Sequence, residues 1–234
     1  MTASSEAVVP ASINPEFKNA IRLQQSLLTP IERVCLDWLA RRMPVWVTSD
    51  HLTLLGFAAM FVAGVSYAAA RWWPAALLVV DVMLAVNWFG DSLDGTLART
   101  RNKLRPRYGF YVDHIVDAFG ILFLMSGLAA SGLMTGTVAL GMLTVYFLLS
   151  IDVYLATYTL GTFRMSFCKF GPTELRILLA IGNLKVLARP TVHVFGERFL
   201  FFDIAAVVAM ALLGAVVIVS AITNTMTLYR AEKV

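Results

Sequence analysis

Long uncharged runs are the feature that most limits how this chain can fold. Residues 52–70 carry no charge, residues 72–90 carry only Asp81, and residues 118–151 are uncharged over 34 positions. A helix needs about 20 residues to cross a ~30 Å hydrocarbon core. These runs therefore predict four membrane spans, with a turn at 131–136 dividing the longest run into two.

Two further segments extend this pattern. Residues 199–222 predict a last span despite Asp203, and residues 171–188 predict a weaker fifth span, which three charged residues interrupt. The chain is 59% hydrophobic with a mean hydropathy of +0.73, outside the usual range of soluble globular proteins. We predict an all-α integral membrane protein with six transmembrane helices and no nucleic-acid partner.

The segment before the first span predicts an amphipathic helix. Thr29 suits the N-cap, Pro30 the first helical position, and Glu32 the end of a capping box. Apolar residues then recur on one helical face, namely Ile31, Val34, Cys35, Trp38 and Leu39. We expect this face to lie in the membrane interface; the alternative is a soluble helix packed on the domain.

These segments divide the chain into four parts. We expect a poorly ordered tail at 1–20, an interfacial helical region at 21–46, a six-helix transmembrane domain at 47–228 and a C-terminal tail at 229–234. Small residues such as Gly127 could support contacts between subunits or packing within one subunit.

Positive residues in short loops mark the cytoplasmic side of a membrane protein. Basic residues crowd the loop between the second and third spans, namely Arg99, Arg101, Lys103, Arg105 and Arg107. This loop predicts that both termini face the cytoplasm. Lys185, Arg189 and Arg198 fall on the predicted outer side and disagree with this orientation.

Four aspartates mark the two helices that the basic loop connects. Residues three or four apart share a helical face, so Asp91 and Asp94 form one stripe and Asp113 and Asp117 form another. Antiparallel neighbours would bring the stripes together, where uncompensated carboxylates repel one another. Ligands that are all oxygen favour Mg²⁺, Mn²⁺ or Ca²⁺. The alternative for any single aspartate is a solvated helix end.

The whole pattern reads Asp91-x2-Asp94-Gly95-x2-Ala98-Arg99-x9-Gly109-x3-Asp113-x3-Asp117. It resembles the signature of the CDP-alcohol phosphotransferases, and its eight fixed residues make a chance match far rarer than about one in a million. The resemblance implies a six-span catalytic domain that uses two divalent ions, Mg²⁺ or Mn²⁺. Such an enzyme transfers a substituted phosphate from a CDP-linked donor to an acceptor hydroxyl and releases CMP, in phospholipid biosynthesis.

The resemblance also implies roles for individual residues. Asp91, Asp94, Asp113 and Asp117 would hold the metal ions, and Asp117 would also be the catalytic base toward the acceptor hydroxyl. The CDP part of the donor would be bound by Asp94, Gly95, Ala98, Arg99 and Gly109. A homodimer is implied as well, in the inner membrane if the source is bacterial, with the site facing the cytoplasm.

Two other polar residues have less direct interpretations. His114 is turned about 100° from Asp113 on a helix, so we do not expect it to bind the metal. Asp81 lies inside the second span, where an acid is a functional candidate. A hydrogen-bonded packing role against another helix is the favoured interpretation of Asp81.

The signature does not choose the substrates. The compact length favours CDP-diacylglycerol as donor to a small polar alcohol, whereas GPTE at 171–174 resembles the branch that transfers from CDP-choline or CDP-ethanolamine to diacylglycerol. A non-enzymatic cation or lipid-binding membrane protein is the alternative from another class. Residues predicted on the acceptor side are Ser150, Asp152, Arg164, Lys169, Glu174 and Arg176; the basic ones among them could instead be ordinary positive residues of cytoplasmic loops.

Overall fold

The structure is a computed structural model that describes residues 21–23, 29–164 and 172–232. Within these residues the chain forms seven helices and four short strands. The helices are α1 (Thr29–Arg42), α2 (Ser49–Ala69), α3 (Ala76–Thr100), α4 (Pro106–Ser131), α5 (Gly136–Leu160), α6 (Pro172–Ala188) and α7 (Phe201–Ala231). The strands are β1 (Ile21–Leu23), β2 (Thr162–Arg164), β3 (Thr191–Val194) and β4 (Glu197–Leu200). The predicted tail at 1–20 lies outside the described residues.

Five of the described helices, namely α2, α3, α4, α5 and α7, are long and apolar enough to cross a membrane. The shortest of them, α2, has 21 residues, which is about 31 Å at 1.5 Å per residue. Gly132, with φ of 75°, ends α4 inside the predicted turn. The prediction of a multi-span helical membrane protein is therefore confirmed for five spans.

The predicted fifth span corresponds to α6, which is not among these five helices. It has 17 residues and includes Glu174, Arg176 and Lys185, so it is shorter, at about 26 Å, and more charged than the others. An antiparallel hairpin of β3 and β4 follows it. Phe195 and Gly196 form the turn with φ of 51° and 88°, as in a type I′ turn. The purely helical prediction missed this hairpin.

Helix α1 forms where the sequence predicted it, but a different face meets the bundle. Leu36 and Ala40 are buried and pack with Leu93 and Leu97 of α3. Val34, on the predicted apolar face, is 72% exposed. Leu36 and Ala40 are one turn apart and therefore share a face. On the predicted face, Val34 and Trp38 are exposed, whereas Leu39 packs against the same cluster as Leu36 and Ala40. An interfacial position for α1 stays a prediction.

Close backbone contacts hold α2 against its two neighbours. A Cβ added to Gly127 of α4 would lie 2.1 Å from the carbonyl oxygen of Gly64 in α2, and a Cβ on Gly90 of α3 would lie 2.5 Å from the carbonyl oxygen of Leu52. Small residues allow such approaches in membrane helices. Gly127 is thus used for packing within one subunit.

Hydrogen bonds fix α6 alongside α3 and α2. The Tyr67 hydroxyl of α2 donates to Asn183 Oδ1 at 2.8 Å, and Asn183 Nδ2 donates to Asp81 Oδ1 at 2.6 Å. Tyr67 and Asn183 are fully buried. The packing interpretation of Asp81 is confirmed, since its carboxylate accepts a hydrogen bond from another helix.

Candidate active site

A cavity of about 1260 Å³ opens between the aspartate-bearing ends of α3 and α4, both of which pack against α2. Asp91 and Asp94 reach it from α3 and Asp113 reaches it from α4. The residues predicted to bind CDP line the same cavity, namely Asp94, Gly95, Ala98, Arg99 and Gly109. Helical periodicity puts the aspartates of each helix on one face. The main packing of both α3 and α4 is against α2, so α2 holds the two faces at one cavity, rather than the direct packing of α3 on α4 that the sequence predicted.

Gly95 and Gly109 face open space in this cavity. A Cβ added to either glycine would meet no atom within 4 Å, in contrast to the tight helix contact at Gly127. Neither residue has to be glycine for the described helices to pack. Their small size leaves room beside the backbone for a ligand.

Asp117 lies one helical turn beyond Asp113 along α4. Its carboxylate is half-buried and interacts electrostatically with Asp91, Asp113 and Arg176. The fourth aspartate of the pattern is therefore electrostatically coupled to the others, although it does not line the cavity as the first three do.

Arg176 is the residue that α6 contributes to the site. Its Nη2 donates to Asp91 Oδ2 at 2.5 Å and its Nε donates to Asn87 Oδ1 at 2.8 Å. The two charged side chains are 16% and 25% exposed, so water has little access to the ion pair. Sequence analysis placed Asp91 on the metal and Arg176 on the acceptor side, and the structure brings these two predicted roles into direct contact.

Asp94 accepts a hydrogen bond from α2. The Thr53 hydroxyl donates to Asp94 Oδ2 at 2.5 Å, and Thr53 also lines the cavity. Sequence analysis did not single out Thr53. It lies in an apolar run one helix away from the aspartates, and no local pattern links the two.

The predicted metal site can be tested against this arrangement. Among the residues that the structure describes, no three carboxylate, imidazole or thiol side chains lie close enough together to hold a metal ion. Asp91 is directed to Arg176 and Asp94 to Thr53. The donors that line the cavity still suit a hard cation, because they are carboxylate oxygens without a thiolate. A cation bound at Asp91 would compete with Arg176 for this carboxylate.

Positive side chains line the same cavity. They are Arg33, Arg99, Lys103, Arg105 and Arg176. Arg105 pairs with Asp50 at the start of α2 and also stacks over Tyr108, 4.2 Å from the ring centre. The cavity therefore offers both acids that suit a cation and cations that suit phosphate.

The residues predicted on the acceptor side separate into different places. Arg176 lines the cavity, and Glu174 is buried in the first turn of the same helix. Ser150 donates to the backbone oxygen of Tyr146 in its own helix. Asp152 accepts a hydrogen bond from Ser220 of α7 at 2.5 Å and lines a second groove, between α5 and α7. The side chains of Arg164 and Lys169 lie outside the described part of the chain.

His114 is held by its own helix and by aromatic rings. Its Nδ1 lies 2.5 Å from the carbonyl oxygen of Phe110, and its ring centre lies 4.2 Å from that of Phe110 and 4.8 Å from that of Tyr154. These contacts agree with the expectation that it does not bind the metal. Tyr154 also lines the cavity, a role that sequence analysis missed.

Comparison with known proteins gives relatives of two kinds. The chain is 28% identical over 80% of its length to archaetidylinositol phosphate synthase of Pyrococcus horikoshii, of which it covers 85%. It is 32% identical over 47% of its length to the enzyme of that name from Methanothermobacter thermautotrophicus, of which it covers 54%. It is 29% identical over 67% of its length to human cholinephosphotransferase 1 and spans 40% of that protein. No family model matches the chain.

Proposed function

We propose that this chain, whose relatives are CDP-alcohol phosphotransferases as the aspartate pattern predicted, transfers a substituted phosphate from CDP-diacylglycerol to the hydroxyl of a phosphorylated polar alcohol. The acceptor oxygen forms a bond to the phosphorus distal to cytidine, the bond from that phosphorus to CMP breaks, and CMP leaves. The observation that carries the proposal is the single cavity that holds Asp91, Asp94, Asp113 and the CDP-binding residues of the pattern.

Asp117 is proposed to accept the proton of the acceptor hydroxyl. Its carboxylate interacts with those of Asp91 and Asp113, so it lies close to the carboxylates that face the donor. A positioned general base typically contributes 10²–10⁴-fold in rate. The proton leaves the acceptor oxygen as that oxygen bonds to phosphorus, which avoids a charged oxonium product.

Divalent ions, Mg²⁺ or Mn²⁺, are proposed to be held by Asp91, Asp94, Asp113 and Asp117. When bound, such ions polarise phosphoryl oxygens and stabilise negative charge on the attacking and leaving oxygens. The chain's own contribution is to carry two of the four carboxylates on α3 and two on α4. Arg176 donates a hydrogen bond to Asp91, and Thr53 donates one to Asp94.

Arg176 supports a phosphorylated acceptor. Its guanidinium lies at Asp91, which is proposed to bind metal, and a planar fork of donors matches phosphate oxygens. If the ions bind Asp91, the guanidinium of Arg176 loses this partner. It can then bind the phosphate of the acceptor. The archaetidylinositol phosphate synthase of Pyrococcus horikoshii, named for a product that contains a phosphate, matches the chain over most of both lengths.

The second candidate is transfer from CDP-choline or CDP-ethanolamine to diacylglycerol. The similarity to cholinephosphotransferase 1 favours it, as does the short GPTE segment, whose Glu174 is buried beside the site. The chain spans 40% of those proteins, and Arg176 has no phosphate to bind in a diacylglycerol acceptor. The first candidate is therefore the one proposed.

Helix α6 is proposed to complete the six spans, as the fifth in chain order. Arg176, near its start, contacts the aspartate end of α3, and Asn183, two turns later, contacts Asp81 at the other end. The helix thus runs antiparallel to α3 across the bundle. The aspartate cavity would then face the cytoplasm and the hairpin of β3 and β4 the other side. Single cysteines at Lys103 and Glu197 should react with an impermeant maleimide from opposite sides of sealed vesicles.

Labelled substrates test the reaction. Purified protein would be incubated with Mg²⁺, CDP-diacylglycerol labelled in the lipid or CDP-choline labelled in choline, and a panel of acceptors that includes inositol phosphate and glycerol phosphate. We expect CMP release only from CDP-diacylglycerol with a phosphorylated acceptor. In that reaction the lipid label should move from CDP-diacylglycerol to a product lipid without cytidine. Asp117→Asn and a chelator should abolish both signals, whereas Asp203→Asn, at the far end of the bundle, should retain them.

The outcomes separate the alternatives. Labelled lipid from CDP-choline and diacylglycerol alone would overturn the choice of donor and keep the reaction class. Absence of CMP release with every donor and acceptor, from protein that unfolds cooperatively, would favour the non-enzymatic alternative of a cation or lipid-binding protein. The homodimer stays a prediction that light scattering in detergent can test.

A further inference from the structure

Glu32, in the first turn of α1, connects three helices through one oxygen atom. Its Oε1 accepts hydrogen bonds from Trp88 Nε1 at 2.7 Å, from the Ser92 hydroxyl at 3.1 Å and from the Thr173 hydroxyl at 2.9 Å. Trp88 and Ser92 are one turn apart on α3, and Thr173 is in the first turn of α6. Glu32 also lines the cavity. Sequence analysis assigned it only a capping role within α1.

The three donors lie next to the residues of the proposed reaction. Ser92 follows Asp91 in the chain, and Thr173 is one helical turn before Arg176. Helices α3 and α6 are thus joined by two links, one through Glu32 to Thr173 and one from Arg176 to Asp91, whose α6 residues are one turn apart. Of these two links, the one through Arg176 is the one that a metal ion or a phosphate would break.

Helix α1 is fixed against α3, and this fixes the position of Glu32. Leu36 and Ala40 pack on α3. Beyond the helix, the Arg101 guanidinium donates to the backbone oxygens of Met43 and Pro44, at 2.9 Å each, and to that of Val47. From Glu32 to Pro44, α1 and its linker therefore contact α3 or Arg101 at its end about once per helical turn. Because α1 is held in place, the carboxylate of Glu32 can set the position of α6.

We propose that Glu32 is a positioning residue that holds the start of α6 against α3. Arg176 can then exchange Asp91 for the phosphate of the acceptor while α6 stays in place. This inference rests on the proposed function. Three neutral donors on one carboxylate oxygen keep the link intact while ions and phosphates enter and leave. Loss of the link should therefore weaken binding of the acceptor more than binding of the donor.

Two substitutions separate the geometry of Glu32 from its charge. Glu32→Gln keeps an oxygen that can accept from the same donors, and Glu32→Met keeps the length without an acceptor. We expect Glu32→Met to raise the KM for the phosphorylated acceptor at least tenfold and to change the KM for CDP-diacylglycerol less than threefold. Glu32→Gln should stay within about threefold of the wild type in both.

Hydrogen exchange gives a measurement that does not depend on turnover. Glu32→Met should speed exchange of the amides of residues 176–180, in the second turn of α6, while amides of α2 keep their wild-type rates. Thr173→Val, which has the same shape and removes only the donor from α6, should reproduce both effects. Glu197→Met, on the exposed hairpin, is the matched control and should change neither measurement.

Each outcome decides the matter. If Glu32→Gln is as defective as Glu32→Met, the charge acts rather than the hydrogen-bond geometry, and the proposal is wrong. Unchanged exchange at 176–180 in Glu32→Met would equally overturn it. Should Glu32→Met fail to fold, Thr173→Val takes its place with the same expected results. Wild-type protein without any CMP release would refute the proposed function, and exchange would still decide whether Glu32 positions α6.

Discussion

Replacement of Arg176 by Met is expected to destabilise the metal-free protein and to increase its affinity for Mg²⁺. The guanidinium donates to Asp91 at 2.5 Å and to Asn87 at 2.8 Å, and the paired side chains are 16% and 25% exposed. A hydrogen bond that involves a charged group contributes about 1.5–3 kcal/mol. Partial access of water reduces this value, so about 1.5–2 kcal/mol is the expected loss of stability.

The same value sets the gain in metal affinity. In the wild type, an ion that binds Asp91 must first separate it from Arg176, and this separation costs about 1.5–2 kcal/mol. The variant has no such competitor. Since 1.4 kcal/mol corresponds to a factor of ten, the apparent Kd for Mg²⁺ should fall about 10- to 30-fold. Turnover of the phosphorylated acceptor should fall in the same variant, because its phosphate loses a partner.

Thermal unfolding in detergent over a series of MgCl₂ concentrations measures both effects. A ligand that binds only the folded protein stabilises it by RT ln(1 + [L]/Kd), so the concentration dependence gives the apparent Kd. Arg189→Met, at an exposed position beyond the other end of α6, is the matched control. If Arg176→Met binds Mg²⁺ as the wild type does, or more weakly, then Asp91 is not shared between the arginine and the metal.

Three other substitutions test single contacts. Thr53→Val removes the donor to Asp94 and should lower kcat/KM about tenfold with the unfolding temperature reduced, as measured by CMP release and calorimetry. Gly127→Ala places a Cβ 2.1 Å from a backbone oxygen and should destabilise the fold strongly, whereas Gly214→Ala, with nothing within 4 Å, should not. Asn183→Leu removes the partner that Tyr67 and Asp81 share and should cost about 3 kcal/mol in chemical unfolding.

Helical periodicity was sufficient to predict the aspartate cavity. Asp91 and Asp94 share a face because they are three apart, and Asp113 follows Gly109 at a spacing of four. The short basic loop predicted α3 and α4 as antiparallel neighbours, whereas each of them packs mainly against α2. The contact of Arg176 with Asp91 joins residues 85 positions apart, and no local pattern determines which helix packs there. The charge of Arg176 inside an apolar run was the available signal, and sequence analysis used it to doubt the span.

Two predictions stay untested, and periodicity explains in part why the sequence could not make them more specific. Ser150 and Asp152 were placed together on the acceptor side, yet residues two apart on a helix point about 200° from one another. The structure accordingly directs Asp152 to Ser220 of α7. The sequence does not determine which apolar face of α1 packs against α3, because apolar side chains face a bilayer as readily as a protein core. Leu36 and Ala40 were no stronger a signal than Val34 and Trp38.

The cavity combines both signs of charge, and this explains how it can remain folded beside a bilayer without its substrates. Asp91 pairs with Arg176 and Asp50 pairs with Arg105, so part of the charge of each sign is compensated within the cavity. A substrate that carries phosphate and enters with divalent ions offers each side chain a new partner of opposite charge. The number of ion pairs is then maintained while the partners change.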